Sequence, residues 1–134
     1  MSISVIAPNR DLARLSREVA QELGEDVRVV EGLLSEAVSV ARVEVARGAE
    51  VLVSRGGTAT LIKAARLGVP VVEISVTAYD VLHAVETARS LGGEIVLVGF
   101  ENIALVGESI ARVVGNLTGL RVRVVRVERE EFFP

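Results

Sequence analysis

The seven residues Ser54-Arg55-Gly56-Gly57-Thr58-Ala59-Thr60 stand between two apolar runs, Val51-Leu52-Val53 and Leu61-Ile62. Their types suit the capture of an anion. Gly56 and Gly57 carry no side chain that would hold a ligand off the backbone, and their entropic cost calls for a reason. Thr58 is of the type that caps a following helix, and the backbone N–H groups at a helix start attract negative charge. Arg55 adds a fixed positive charge whose planar fork fits a carboxylate or a phosphate. With Ser54 these residues form the first candidate ligand-binding set. The spacing is neither GxxxxGK[ST], for which Lys63 is misplaced, nor GxGxxG. The competing reading is a tight turn with an exposed arginine, since Gly-rich strand-to-helix turns recur in parallel α/β folds.

Weaker candidates lie where other strands end. Asn9 and Asp11 follow the first strand-like run, where capping the first helix is the favoured reading and ligand contact the other. Tyr79-Asp80 opens a later helix, where Asp80 complements the helix dipole. Phe100 reads as packing and Asn102 as a cap. His83, between Leu82 and Val85, reads as an ordinary partly buried histidine. No nucleophile has an activating base at a spacing that calls for chemistry, so a binding module is expected rather than an enzyme.

Composition narrows the classes further. The 134 residues suffice for one ordinary domain, and half of them are apolar. Only Tyr79, Phe100, Phe132 and Phe133 are aromatic, too few for the stacking platforms of single-strand nucleic-acid binders. A net charge of -3 argues against a general phosphate-backbone binder. Without cysteine and with one histidine, disulfides, thiolate zinc sites and multi-histidine metal sites are not expected. No cofactor is implied. There is no uninterrupted apolar run of about 18 residues and no signal-peptide pattern, so a cytoplasmic protein without a membrane span is expected.

The elements that must position the loop are legible from punctuation. Gly24, Gly48, Gly68, Gly92-Gly93 and Gly119 each close a helical pattern and precede a run rich in Val and Ile. Leu12, Leu15, Val19 and Leu23 form one apolar stripe; Leu34, Val38, Ala41 and Val45 form another. Val81, Leu82, Val85 and Ala88, and Ile103, Val106, Ile110, Val113 and Leu117, form two more, with a shorter helix around Leu61, Ile62 and Ala65. Strand-like runs at Ser2–Ala7, Val27–Val30, Val51–Val53, Val71–Ile74 and Ile95–Val98 are nearly continuous in hydrophobicity, as in parallel sheets covered on both faces. The run Leu120–Val127, punctuated by Arg121, Arg123 and Arg126, reads as a charge-protected edge strand. Strand–helix alternation predicts an α/β fold: a Rossmann-like or flavodoxin-like parallel sheet with helices on both faces and the first strand central. Residues 1–75 are expected to form a first lobe, and 76–134 a crossover helix with a partial second lobe.

From Ser54 onward the chain resembles a family. The segment GAEVLVSRGGTATLIKAARLGVPVVEISVTAYDVLHAVETARSLGGEIVLVGFENI, with the opening IAPNRDLARLSREVAQELGEDVRVVEGLLSEAV, is similar to the N-terminal sensor domain of propionate-catabolism activators, which are sigma-54-dependent transcription regulators. The resemblance implies two Rossmann-like lobes with a cleft between them, a small anionic effector such as 2-methylcitrate, and ATPase and DNA-binding modules in a longer chain. It matches the family's SRGGT segment to Ser54–Thr58, and its tyrosine–aspartate pair to Tyr79 and Asp80. The family domain continues past the length seen here, so the second lobe is expected to be incomplete. Self-association is expected to complete it and to cover Phe132-Phe133. A small enzyme holding a phosphorylated or nucleotide substrate on the same loop, and an oligomerisation domain whose loop is only a turn, are the alternative readings.

Overall fold

The structure, a computed structural model, describes residues 1–132, the Phe132 side chain excepted. The Phe132 side chain and Phe133, expected to need cover, therefore fall outside what the structure describes. Six strands alternate with five helices: β1 (Ile3–Ala7), α1 (Arg10–Leu23), β2 (Val27–Glu31), α2 (Leu34–Ala46), β3 (Val51–Arg55), α3 (Gly56–Ala64), β4 (Val71–Ile74), α4 (Ala78–Leu91), β5 (Ile95–Gly99), α5 (Glu101–Thr118) and β6 (Val122–Arg126). A 3-10 turn follows at Glu130–Phe132. Every strand pairing is parallel. The chain divides into two compact units, Met1–Ile74 and Ser75–Pro134.

The first unit holds a four-stranded sheet in the order β2-β1-β3-β4, with β1 in the interior. Side chains alternate across a strand. Ile6, Leu52 and Val71 therefore face one side, where they meet Ala37 and Ala41 of α2 and Ile62 of α3. Ile3, Val5, Val53 and Ile74 face the other side, which carries α1. Helix ends follow the glycine punctuation: Gly24 closes α1 and Gly119 closes α5, both in the left-handed conformation that a residue with a Cβ avoids.

The stripe Leu12, Leu15, Val19 and Leu23 does not form the buried face of α1. That face is Ala13 and Ala20, whereas Leu15, Val19 and Leu23 are 53%, 43% and 70% exposed. The alanines let α1 approach the sheet closely. The leucine stripe instead walls an open apolar groove of about 390 Å³ with Val53 and Ile74.

The second unit holds β5 and β6 as a two-stranded sheet with α4 and α5. Val81, Val85 and Ile95 form its core, with Leu97, Val106 and Ile110 against them. A Cβ on Gly107 would come within 3.0 Å of Leu97, so the glycine lets α5 lie against β5. Val113 and Leu117, expected on the apolar stripe of α5, are 46% and 80% exposed, and Val114 is buried instead. The arginines of β6 are held by acid partners: Arg123 by Glu94 at 3.2 Å, and Arg126 by Glu101 at 3.5 Å and Glu108 at 3.1 Å. Among the described residues no helix is long and apolar enough to cross a membrane.

Candidate functional site

The Ser54–Thr58 loop is the junction of β3 and α3, at the carboxyl edge of the first unit's sheet. β3 lies beside β1, and the connections from these two strands leave in opposite directions, α1 to one side of the sheet and α3 to the other. This reversal opens the crevice in which parallel α/β sheets take ligands.

The five loop residues divide by role. Ser54 is fully buried, and its Oγ donates to the carbonyl of Ile6 at 2.7 Å, tying β3 to β1. Arg55 is the last residue of β3 and the cap position of α3, with extended backbone and no side-chain cap bond. Its side chain is half-buried on the α1 side of the sheet, where it borders the apolar groove and a polar cleft of about 350 Å³. Gly56 has φ +61°, a conformation that favours glycine, whereas Gly57 is not among the residues with positive φ. Thr58 is buried at 1% exposure.

The expected capping role of Thr58 is not what the structure shows. Thr58 lies in the first turn of α3, and its Oγ1 accepts the N–H of Leu34 at 3.1 Å, at the start of α2. It caps a neighbouring helix, not its own. Arg55, at the cap position of α3, makes no cap bond with its own side chain, and the amino end of α3, with its partial positive charge, lies at the sheet edge.

Asn9 shares the polar cleft with Arg55, Asp11, Arg14 and Glu18. Its Oδ1 accepts the N–H of Leu12 at 2.8 Å and caps α1. Arg14 lies 3.9 Å from Asp11 and 3.8 Å from Glu18 and offsets both carboxylates on that wall. The first unit thus brings Asn9 and Arg55 to one cleft at the sheet edge. Tyr79 and Asp80 belong to the second unit. Asp80 completes a capping box with Thr77: Oδ2 accepts the Thr77 N–H at 2.8 Å, and Thr77 Oγ1 accepts the Asp80 N–H at 3.2 Å. Tyr79 is 76% exposed and stacks parallel to His83, ring centroids 6.4 Å apart. Phe100 holds the cap position of α5 and is buried, while Asn102, inside the first turn, accepts the N–H of Ile103 on its Oδ1 at 3.0 Å.

Two features escaped the sequence reading. Glu44 is buried on α2, bound by Ser4, Arg28 and Arg47. Its spacing from Ala37 and Ala41 puts it on the buried face, a signal that was available. Leu34 has φ +51°, and no residue pattern announces it. Among the described residues no group of three or more His, Asp or Glu side chains could hold a metal ion.

With that geometry in place, comparison with known proteins is decisive on one point. The family model described as propionate catabolism activator matches residues 21–131, most of the chain and the whole Ser54–Thr58 loop. The chain belongs to this family. Among solved structures it is similar to an NtrC-family transcriptional regulator from Clostridium acetobutylicum, with a TM-score of 0.80 and 23% identity. That likeness covers 98% of this chain and 67% of the regulator's, and at this identity it shows the fold. None of the curated proteins matches the chain.

Proposed function

We propose that this propionate catabolism activator domain is the effector-sensing part of a transcription activator, and that it takes a small anionic metabolite at the start of α3. The ligand class is an organic acid of the 2-methylcitrate kind. The observation that carries the reading is the family match across residues 21–131, which spans the loop where Arg55 and the start of α3 meet at the sheet edge. Arg55 offers a forked, charged contact to a carboxylate, and the first turn of α3 offers backbone donors. Ser54 and Thr58 shape the loop from inside, and Asn9 lines its polar cleft. Tyr79 and Asp80 are proposed as ligand contacts carried by the second unit. The domain binds and does not catalyse. It sits in the cytoplasm, self-associates, and governs ATPase and DNA-binding modules of a longer chain without touching nucleic acid itself.

Calorimetry of the purified chain with 2-methylcitrate, citrate, inorganic phosphate and nucleotides tests this. Saturable binding of the tricarboxylates, well above that of nucleotides, is expected. Tight nucleotide binding would turn the reading toward a small enzyme. No binding to any of the four would leave the loop a turn in an oligomerisation domain.

A further inference from the structure

Among the described residues two non-glycine residues have positive φ, Leu34 at +51° and Arg66 at +48°. Arg66 follows the end of α3, where a left-handed residue is ordinary. Leu34 opens α2, where left-handed backbone is costly for a side chain with a Cβ and needs something to hold it. The residue before it, Leu33, occupies the cap position and has no acceptor on its side chain to offer. The acceptor comes from Thr58, whose Oγ1 takes the Leu34 N–H at 3.1 Å. Thr58 is buried, so water does not compete for that hydroxyl. The loop before Leu34 has little slack. A Cβ on Gly32 would come within 2.9 Å of the Ala37 Cα, and the Gly32 N–H is bonded to the Ala7 carbonyl at 3.0 Å. The Thr58 hydroxyl therefore joins the first turn of α3 to the first turn of α2, at a backbone position that would relax if released.

We infer that Thr58 is a positioning residue through which occupancy of the loop at Arg55–Gly57 is felt at the start of α2. This rests on the anion-binding reading above. A ligand seated on the first turn of α3 orders the turn that carries Thr58, and so holds the Leu34 amide more firmly in its left-handed state. When that turn loosens, the bond opens and Leu34 leaves the costly region, giving α2 a second arrangement of its first turn. Coupling of this kind is reciprocal: if ligand tightens the Thr58–Leu34 bond, the bond must strengthen ligand binding by the same factor.

The test uses the isotope-labelled full chain with citrate as the probe. Hydrogen exchange at the Leu34 amide is expected to slow by about fivefold or more when citrate saturates the protein, in keeping with ordinary coupling strengths. Thr58→Val, which keeps the shape and removes the acceptor, is expected to bind citrate about five- to tenfold more weakly and to lose the Leu34 response. Thr58→Ser is expected to restore both. Citrate binding that leaves Leu34 exchange unchanged, or that is undiminished in Thr58→Val, overturns the inference while leaving the anion site standing. Failure of the wild-type chain to bind citrate overturns both. Should Thr58→Val not fold, the wild-type exchange measurement decides the matter by itself.

Discussion

Arg28 donates from Nε to Oε2 of Glu44 at 2.7 Å, across the face of the sheet on which α2 lies. Arg28 is the register partner of Ser4 on β1, and Ser4 Oγ donates to the same carboxylate at 2.8 Å. Arg47, one turn along α2, approaches the other oxygen at 3.3 Å. Glu44 is 1% exposed, so its charge stays in the core only because three donors meet it there.

Glu44→Gln should therefore destabilise the first unit. An amide cannot accept all of these bonds, and its NH₂ would face donors. Because Arg28 and Arg47 keep solvent contact, the loss should be about 1–3 kcal/mol, the cost of a poorly satisfied buried polar group, and not that of a stranded buried charge. Ser4→Ala removes one bond and should cost about 1 kcal/mol. Urea unfolding of the two variants checks the order. Equal stability of Glu44→Gln and wild type would mean that the cluster contributes nothing net.

The two glycines of the loop should not respond alike. Gly56 has φ +61°, so Gly56→Ala should cost about 1–2 kcal/mol through its left-handed backbone. Gly57→Ala should cost less, because Gly57 is not among the positive-φ residues. Thermal melts of both, compared at one pH and salt, test this. A larger loss at Gly57 would contradict the backbone assignment.

Much of this architecture was legible before the structure. Glycines at positions 24 and 119 mark helix ends because a left-handed stop is a local event, decided within a few residues. The Val- and Ile-rich runs mark buried parallel strands, and crossover handedness places β1 inside the sheet. The leucine stripe of α1 was legible as one face, but its exposure was not. Spacing of three and four shows which residues share a face, not whether anything lies against it. The loop at Ser54 was found because paired glycines interrupt two apolar runs. The direction of the Thr58 hydroxyl was not, because it depends on how α2 meets α3, and no short-range pattern encodes that.

Self-association should appear in solution. Half the residues are apolar, and large side chains such as Leu15, Leu23 and Leu117 remain exposed in the single chain. Light scattering should give a mass above that of one chain at micromolar concentration. A monodisperse monomer over a wide concentration range would count against it.

If Arg55 supplies the charged contact of an effector site, calorimetric titration of 2-methylcitrate into wild type and Arg55→Ala will show it. Wild type should bind saturably. Arg55→Ala should bind more weakly by roughly 1.5–3 kcal/mol, the range of a hydrogen bond to a charged group, with its circular dichroism unchanged. Arg55→Lys should recover only part of the loss, because an ammonium cannot make the forked contact. Undiminished affinity in a folded Arg55→Ala would contradict the account, and would move the effector away from the start of α3.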